Sequence, residues 1–283
     1  MKNKYILIIL ALLLFAVVFF RPKRREGTPI NYDDFLFFDD YEENPIINPM
    51  TREEWDAMID NTKVGRYQND NKHWLERGWV NDEWQYRFDT RSSTATVNGE
   101  ISHQGKKSAE ITIPTVPAGY LIVGRYLARY FRDPDSIFDG IFEVGAWYYI
   151  PKDNFPILYL SMEDHPTWTK FYIINIALDT SDGTLFVYYT GYNQTLGRID
   201  FQHDSWFKLW IIYNSNEKTF TCGYVSTSEE KTFHVEKPWI GHYNYAYIGY
   251  SAYNFYAGGN NLSHDASQTL YIDEYYVKIV ERS

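Results

Sequence analysis

The sequence predicts an all-β protein: a two-sheet antiparallel jelly-roll sandwich, with one short helix and an N-terminal transmembrane helix. Three observations predict it. Tyr, Phe and Trp make up 19% of the 283 residues, and these side chains favour pleated, half-buried surfaces. From Ala95 onward, short apolar runs follow one another, separated by turn chemistry such as Asp182-Gly183, Asn214-Ser215-Asn216 and Gly258-Gly259-Asn260-Asn261. At the other end of the chain, an uninterrupted apolar run from Tyr5 to Phe20 carries cations on both flanks.

That first run reads as a membrane anchor. Lys2 and Lys4 precede it, and Arg21, Lys23, Arg24 and Arg25 follow. About 16 residues span roughly 24 Å as a helix, a little short of a ~30 Å hydrocarbon core, and snorkelling Lys and Arg make up the difference. No small-x-small cleavage site follows, so residues 1–25 read as an uncleaved anchor. Residues 26–34, with Gly27 and Pro29, form a linker, and 35–283 a single sandwich domain. The excess of cations after the run favours a cytoplasmic domain, whereas a long following domain translocates despite flanking charge. The sequons Asn193-Gln194-Thr195 and Asn261-Leu262-Ser263 suit the outside of a cell. The reading taken is an extracellular domain, with the cytoplasmic orientation left open.

Within the domain, Phe35 to Glu43 (FLFFDDYEE) is a short strand running into acids. Thr51-Arg52-Glu53-Glu54 is a capping box, and Trp55, Met58 and Ile59 follow at helical spacing, which predicts the one helix of this domain. Trp74, Trp79 and Trp84 belong to a Trp-rich stretch that, with the helix, reads as an insertion over 50–84. Strands then follow from Ser108, Gly119, Gly140, Phe155, Lys170, Leu185, Trp206, Lys218, Ala246 and Thr269.

Composition narrows the function. A net charge of −10 argues against nucleic acid, which needs a basic stripe. Cys222 is the single cysteine, so there is no intramolecular disulfide. The seven His are scattered without a metalloprotease pair, and no nucleophile elbow, P-loop or dinucleotide fingerprint occurs. Glu163-Asp164-His165 is the acid cluster closest to a catalytic carboxylate pair, but adjacent strand residues point to opposite faces. Arg125, Arg129 and Arg132 keep a uronate-directed lyase open.

Three segments carry a resemblance. They are Phe38-Asp39-Asp40-Tyr41-Glu42, Ser102-His103-Gln104-Gly105-Lys106-Lys107-Ser108, and Tyr271-Ile272-Asp273-Glu274-Tyr275-Tyr276-Val277. Their order resembles that of the concanavalin A-like lectin/glucanase jelly roll and related β-sandwich carbohydrate-binding modules. Gly140 to Pro151 (GIFEVGAWYYIP) looks like a laminin-G-like strand of the same group. The resemblance covers most of Phe35 to Val280. It implies a structural Ca²⁺ pinning the first strand to the last, held by Asp40 or Glu42, carbonyls from Gly105 to Lys107, and Asp273. The E-x-D-x-x-E or E-x-D-x-E strand of the glucanases is not found.

Alternation assigns the faces of the Gly140 strand. Phe142, Val144, Ala146 and Tyr148 share the core side, and Glu143, Gly145, Trp147 and Tyr149 the other. Acid beside aromatic is what sugar recognition needs, since C–H patches stack on rings and hydroxyls bond carboxylates. Glu163, Asn175, Tyr189, Trp210 and Tyr247 are candidate companions on neighbouring strands. The competing reading packs Trp147 and Tyr149 beneath the 50–84 insertion. The sequence therefore reads as a membrane-anchored, non-catalytic module that binds a polysaccharide, a glycoprotein glycan or another surface ligand. A polysaccharide-cleaving lyase or glycoside hydrolase, and an envelope assembly protein, stay open.

Overall fold

The computed structural model describes residues 35–42, 74–80, 83–87, 95–116, 120–132, 140–165, 170–189, 192–235, 239–242 and 252–282. The apolar run 5–20, the linker and the helix expected near 51–59 lie outside the described residues. No helix among the described residues is long and apolar enough to cross a membrane.

All described elements are strands. In chain order they are β1 (Phe35–Asp39), β2 (Trp74–Val80), β3 (Glu83–Arg87), β4 (Ala95–Asn98), β5 (Ser108–Ile113) and β6 (Tyr120–Arg132). Then come β7 (Gly140–Tyr149), β8 (Ile157–His165), β9 (Lys170–Asp179), β10 (Thr184–Tyr189), β11 (Tyr192–Arg198) and β12 (Trp206–Asn214). The last are β13 (Thr219–Val225), β14 (Glu230–Val235), β15 (Trp239–His242), β16 (Ala252–Asn261) and β17 (Gln268–Arg282).

They form two antiparallel sheets. One, sheet A, runs β14-β13-β12-β7-β17-β5-β4, with β1 also on β17. The other, sheet B, runs β11-β10-β9-β8-β16-β6-β2-β3, with β15 on β9. The Trp-rich stretch is thus not wholly an insertion, because β2 and β3 form an edge hairpin of sheet B. Four short strands, β4, β11, β14 and β15, went unmarked in the sequence reading, since β11 and β14 are polar and β4 and β15 span four residues each.

Alternation builds the core. Phe142, Val144, Ala146 and Tyr148 of β7 meet Phe207, Leu209, Ile211 and Tyr213 of β12 on the inner side of sheet A, all buried. Sheet B contributes Leu158, Leu160, Met162, Ile174, Ile176, Leu178 and Phe255 to the same cluster. Cys222 sits in it too, and burial pushes its thiol up to about 12.

One turn expected from sequence is strand. Gly258-Gly259-Asn260-Asn261 continues β16, paired with β8 and β6. A side chain at Gly259 would press on Leu270 at 2.8 Å and the Ile157 carbonyl at 3.3 Å, so glycine here serves close packing rather than a turn. Asn261 is buried, donating to the carbonyls of Pro114 (2.9 Å) and Ala266 (2.7 Å), so its sequon offers no exposed amide.

Candidate functional site

The outer face of sheet A is built in register. Tyr149 of β7 stands between Trp206 of β12 and Tyr271 of β17. The next row along β7 is Trp147, between Lys208 and Asp273. The third is Gly145, between Trp210 and Tyr276, and the fourth Glu143, between Ile212 and Lys278. Strand spacing of about 4.8 Å makes each row a contiguous ledge of side chains.

The first row is aromatic throughout. The Tyr149 ring lies 5.6 Å from that of Trp206 and 5.8 Å from that of Tyr271. Tyr149 and Trp206 are half-buried, and Tyr271 is buried. Tyr149 donates its hydroxyl to Asp204 at 3.3 Å, and Asp204 also accepts the Lys152 N–H at 2.9 Å. Burial first, then the Asp204 charge, raises the Tyr149 hydroxyl above its usual range. Burial, with the charge and hydrogen bond of Glu110, pushes Tyr271 up to about 12. Glu110 in turn accepts the Asn98 amide at 2.5 Å.

In the second row, Trp147 carries the His103 imidazole on its face, ring centres 3.7 Å apart and 17° from parallel. His103 Nδ1 bonds Glu274 Oε2 at 2.6 Å. In the third and fourth rows, Glu143 accepts from Lys208 Nζ at 2.9 Å and from the Tyr276 hydroxyl. Tyr276 fills the space above Gly145, where a Cβ would lie 2.5 Å from its ring, and Trp210 covers Gly223 in the same way.

The seven sequence-predicted ligand residues therefore divide. Glu143, Trp147, Tyr149 and Trp210 share the outer face of sheet A. Glu163, Asn175 and Tyr189 lie on β8, β9 and β10 of sheet B, so they do not join that face. Asn175 pairs with Ser161 and accepts its hydroxyl. Tyr247 is outside the described residues. Trp206, Tyr271 and His103 were missed. The first two had a signal, since Trp206 alternates with Lys208 and Trp210, and Tyr271 with Asp273. His103 had none, because it reaches the face from a loop.

The acids named for a metal contact the 103–107 loop at separate points, Glu42 at Lys106 and Lys107 and Asp273 at His103 and Gln104. Glu42 Oε1 accepts the backbone N–H groups of Lys106 and, at 2.8 Å, Lys107. Lys107 Nζ donates to the Glu42 carbonyl at 2.6 Å, and the Glu42 N–H bonds Asp40 at 3.2 Å. Gly105 lies against the Glu42 carboxylate with φ +67°, a conformation that favours glycine. Asp273 is fully buried and accepts N–H groups from His103 (2.8 Å), Gln104 (3.4 Å) and Glu274 (2.8 Å). Burial pushes its carboxyl up to about 8 against the pull of those donors. Opening strand, loop and closing strand are thus fastened by two carboxylates. Among the described residues, no three His, Cys, Asp or Glu side chains group to hold a metal by themselves. Carboxylate and carbonyl oxygens without soft ligands are nonetheless the donor chemistry of a hard cation.

No family model matches the chain, and no curated protein does. Solved structures similar to it include an endo-β-1,4-glucuronan lyase from the fungus Trichoderma reesei (12% identity, TM-score 0.43, covering 72% of this chain and 94% of that one). A carbohydrate esterase of the Shiga toxin-encoding bacteriophage phi24B is another (12%, TM-score 0.44, 75% and 91%), and lectin II from Ulex europaeus a third (11%, TM-score 0.40, 66% and 93%). These are concanavalin A-like sandwiches, and the likeness stops at the fold.

Proposed function

We propose that the domain binds glycan, without cleaving it, on the outer face of sheet A. The observation that carries this reading is the Trp206–Tyr149–Tyr271 row, three aromatic rings in one register across adjacent strands. Trp147 and Trp210 flank it in the next rows, and the Asp204 and Glu110 carboxylates stand at its border. Rings offer stacking surface to sugar C–H faces, and carboxylates take the hydroxyls. Trp147 contributes an edge only while His103 covers its face. The test is a glycan array probed with the full chain and with Trp206→Ala and Trp147→Ala. A glycan retained at full strength by both variants sinks the site. Product analysis of the bound glycan separates binding from cleavage, and shortened chains would replace this reading with an enzyme.

The tether belongs to the same proposal: residues 5–20 hold the domain at a membrane, facing outward. Deleting residues 1–25 is expected to move the chain from the membrane fraction to the soluble one. Recovery of the intact chain in the soluble fraction contradicts the anchor. A structural Ca²⁺ at the clasp is proposed as well, held by Glu42 and Asp273 with carbonyls from Gly105 to Lys107. Its mark is a melting temperature raised by millimolar calcium and lowered by chelator. A melting point indifferent to calcium removes the ion from the account.

A further inference from the structure

We propose that this platform selects by charge, taking neutral or amino-bearing sugars and rejecting uronates and sulfated sugars. The proposal rests on the glycan reading and adds the ligand class to it. The aromatic row is bordered by acids on two sides. Asp204 sits on the Tyr149 hydroxyl at the β12 end. At the β17 end, Glu110 pairs with Tyr271 across the strand, and Glu100 lies in the exposed turn after β4. One row along, Asp273 and Glu274 follow Tyr271 on β17, the Glu274 carboxylate spent on His103.

The nearby cations are engaged elsewhere or sit on loops. Lys208, one row from Tyr149, is bonded to Glu143, three rows away, and Lys107 to the Glu42 carbonyl. Lys106 and Lys152 are exposed on loops. The raised hydroxyl pKa values of Tyr149 and Tyr271 report the same field, because after burial the carboxylates are the next cause of each shift. An anionic sugar over these rings would meet Asp204 and Glu110 at close range, and among the described residues no cation stands in the row between them. An amino sugar would meet them as partners. Alternation along β7 and β12 could place aromatics on this face, but only the register and the Asp204 and Glu110 contacts put acids around them.

The experiment is calorimetric titration of the full chain with three length-matched β-1,4 hexasaccharides, of N-acetylglucosamine, glucosamine and glucuronate, at low and physiological salt. The neutral and amino oligomers are expected to bind at least about tenfold more tightly than the glucuronate at low salt. Added salt is expected to narrow that gap, as is Glu110→Gln. Glucuronate bound as tightly as the neutral oligomer, and lost with Tyr149→Ala, overturns the charge selection and leaves the platform standing. Glucuronate preferred but indifferent to Tyr149→Ala overturns both. No binding by any of the three overturns the glycan reading and the selection with it.

Discussion

Sheet A carries two different surfaces on the same strands. Inward, Phe142, Val144, Ala146 and Tyr148 of β7 alternate with outward Glu143, Gly145, Trp147 and Tyr149. The inner side is a closed apolar layer against sheet B. The outer side pairs aromatics with acids, leaving Trp147, Tyr149 and Trp206 half-buried while Trp210, Tyr271 and Tyr276 are buried. Inner residues are interchangeable contributors to volume, each held by many neighbours. Outer residues act in named pairs: Tyr149 with Asp204, His103 with Glu274, Lys208 with Glu143. The inner layer therefore governs whether the domain folds, and the outer layer what it meets.

The sharpest contrast is chemical. Cys222 belongs to the inner side, its thiol pushed by burial from an ordinary 9.0 to about 12. Thiolate at neutral pH should be about a thousandfold scarcer than for a free cysteine, rising tenfold per pH unit until about 12. Iodoacetamide should therefore modify the native chain only at the rate of unfolding. Rapid labelling at pH 8 without denaturant contradicts that burial. Next in size are neighbouring residues of β12: Phe207→Ala should cost about 3–5 kcal/mol in a denaturant melt. Trp206→Ala, one position away on the other side, should cost less stability and abolish binding. If their effects on stability are reversed, the faces are misassigned.

A smaller effect separates contact from conformation. Gly145→Ala should cost about 1–3 kcal/mol, because the new methyl meets the Tyr276 ring 2.5 Å away. In a Tyr276→Ala background most of that cost should vanish, since Gly145 has an ordinary strand backbone. Equal costs in both backgrounds would place the strain elsewhere. The smallest change expected is Lys208→Met. Its ion pair with Glu143 leaves side chains 20% and 16% exposed, and a pair of this kind contributes about 1 kcal/mol or less. A loss of several kcal/mol would show that Glu143 depends on Lys208 for burial.

The two surfaces were not equally legible. Apolar alternation in GIFEVGAWYYI sufficed to separate the inner from the outer residues of β7, because period two is local. Trp210 could be named as a companion but not placed. Its position opposite Gly145 depends on the β7–β12 register, which no local pattern states. Glu163, Asn175 and Tyr189 look equally suitable in sequence, and strand order alone sends them to sheet B. Gly258 to Asn261 misled for another reason. Turn propensity was overridden by packing, Gly259 being small enough to let Leu270 and Ile113 approach β16. His103 stacks on Trp147 with its backbone held by Asp273 and its ring by Glu274, partners 170 and 171 residues away in the chain.

The central claim is that ligand meets sheet A from outside, and the indole N–H signals of the nine Trp residues test it most directly. In a titration of the full chain with a bound oligosaccharide, the signals of Trp206, Trp147 and Trp210 are expected to shift. Those of Trp74, Trp79 and Trp84, on β2 and β3 at the edge of sheet B, are expected to stay in place. Shifts confined to Trp74, Trp79 and Trp84, with Trp206 and Trp147 unmoved, would contradict the account and move the site to sheet B.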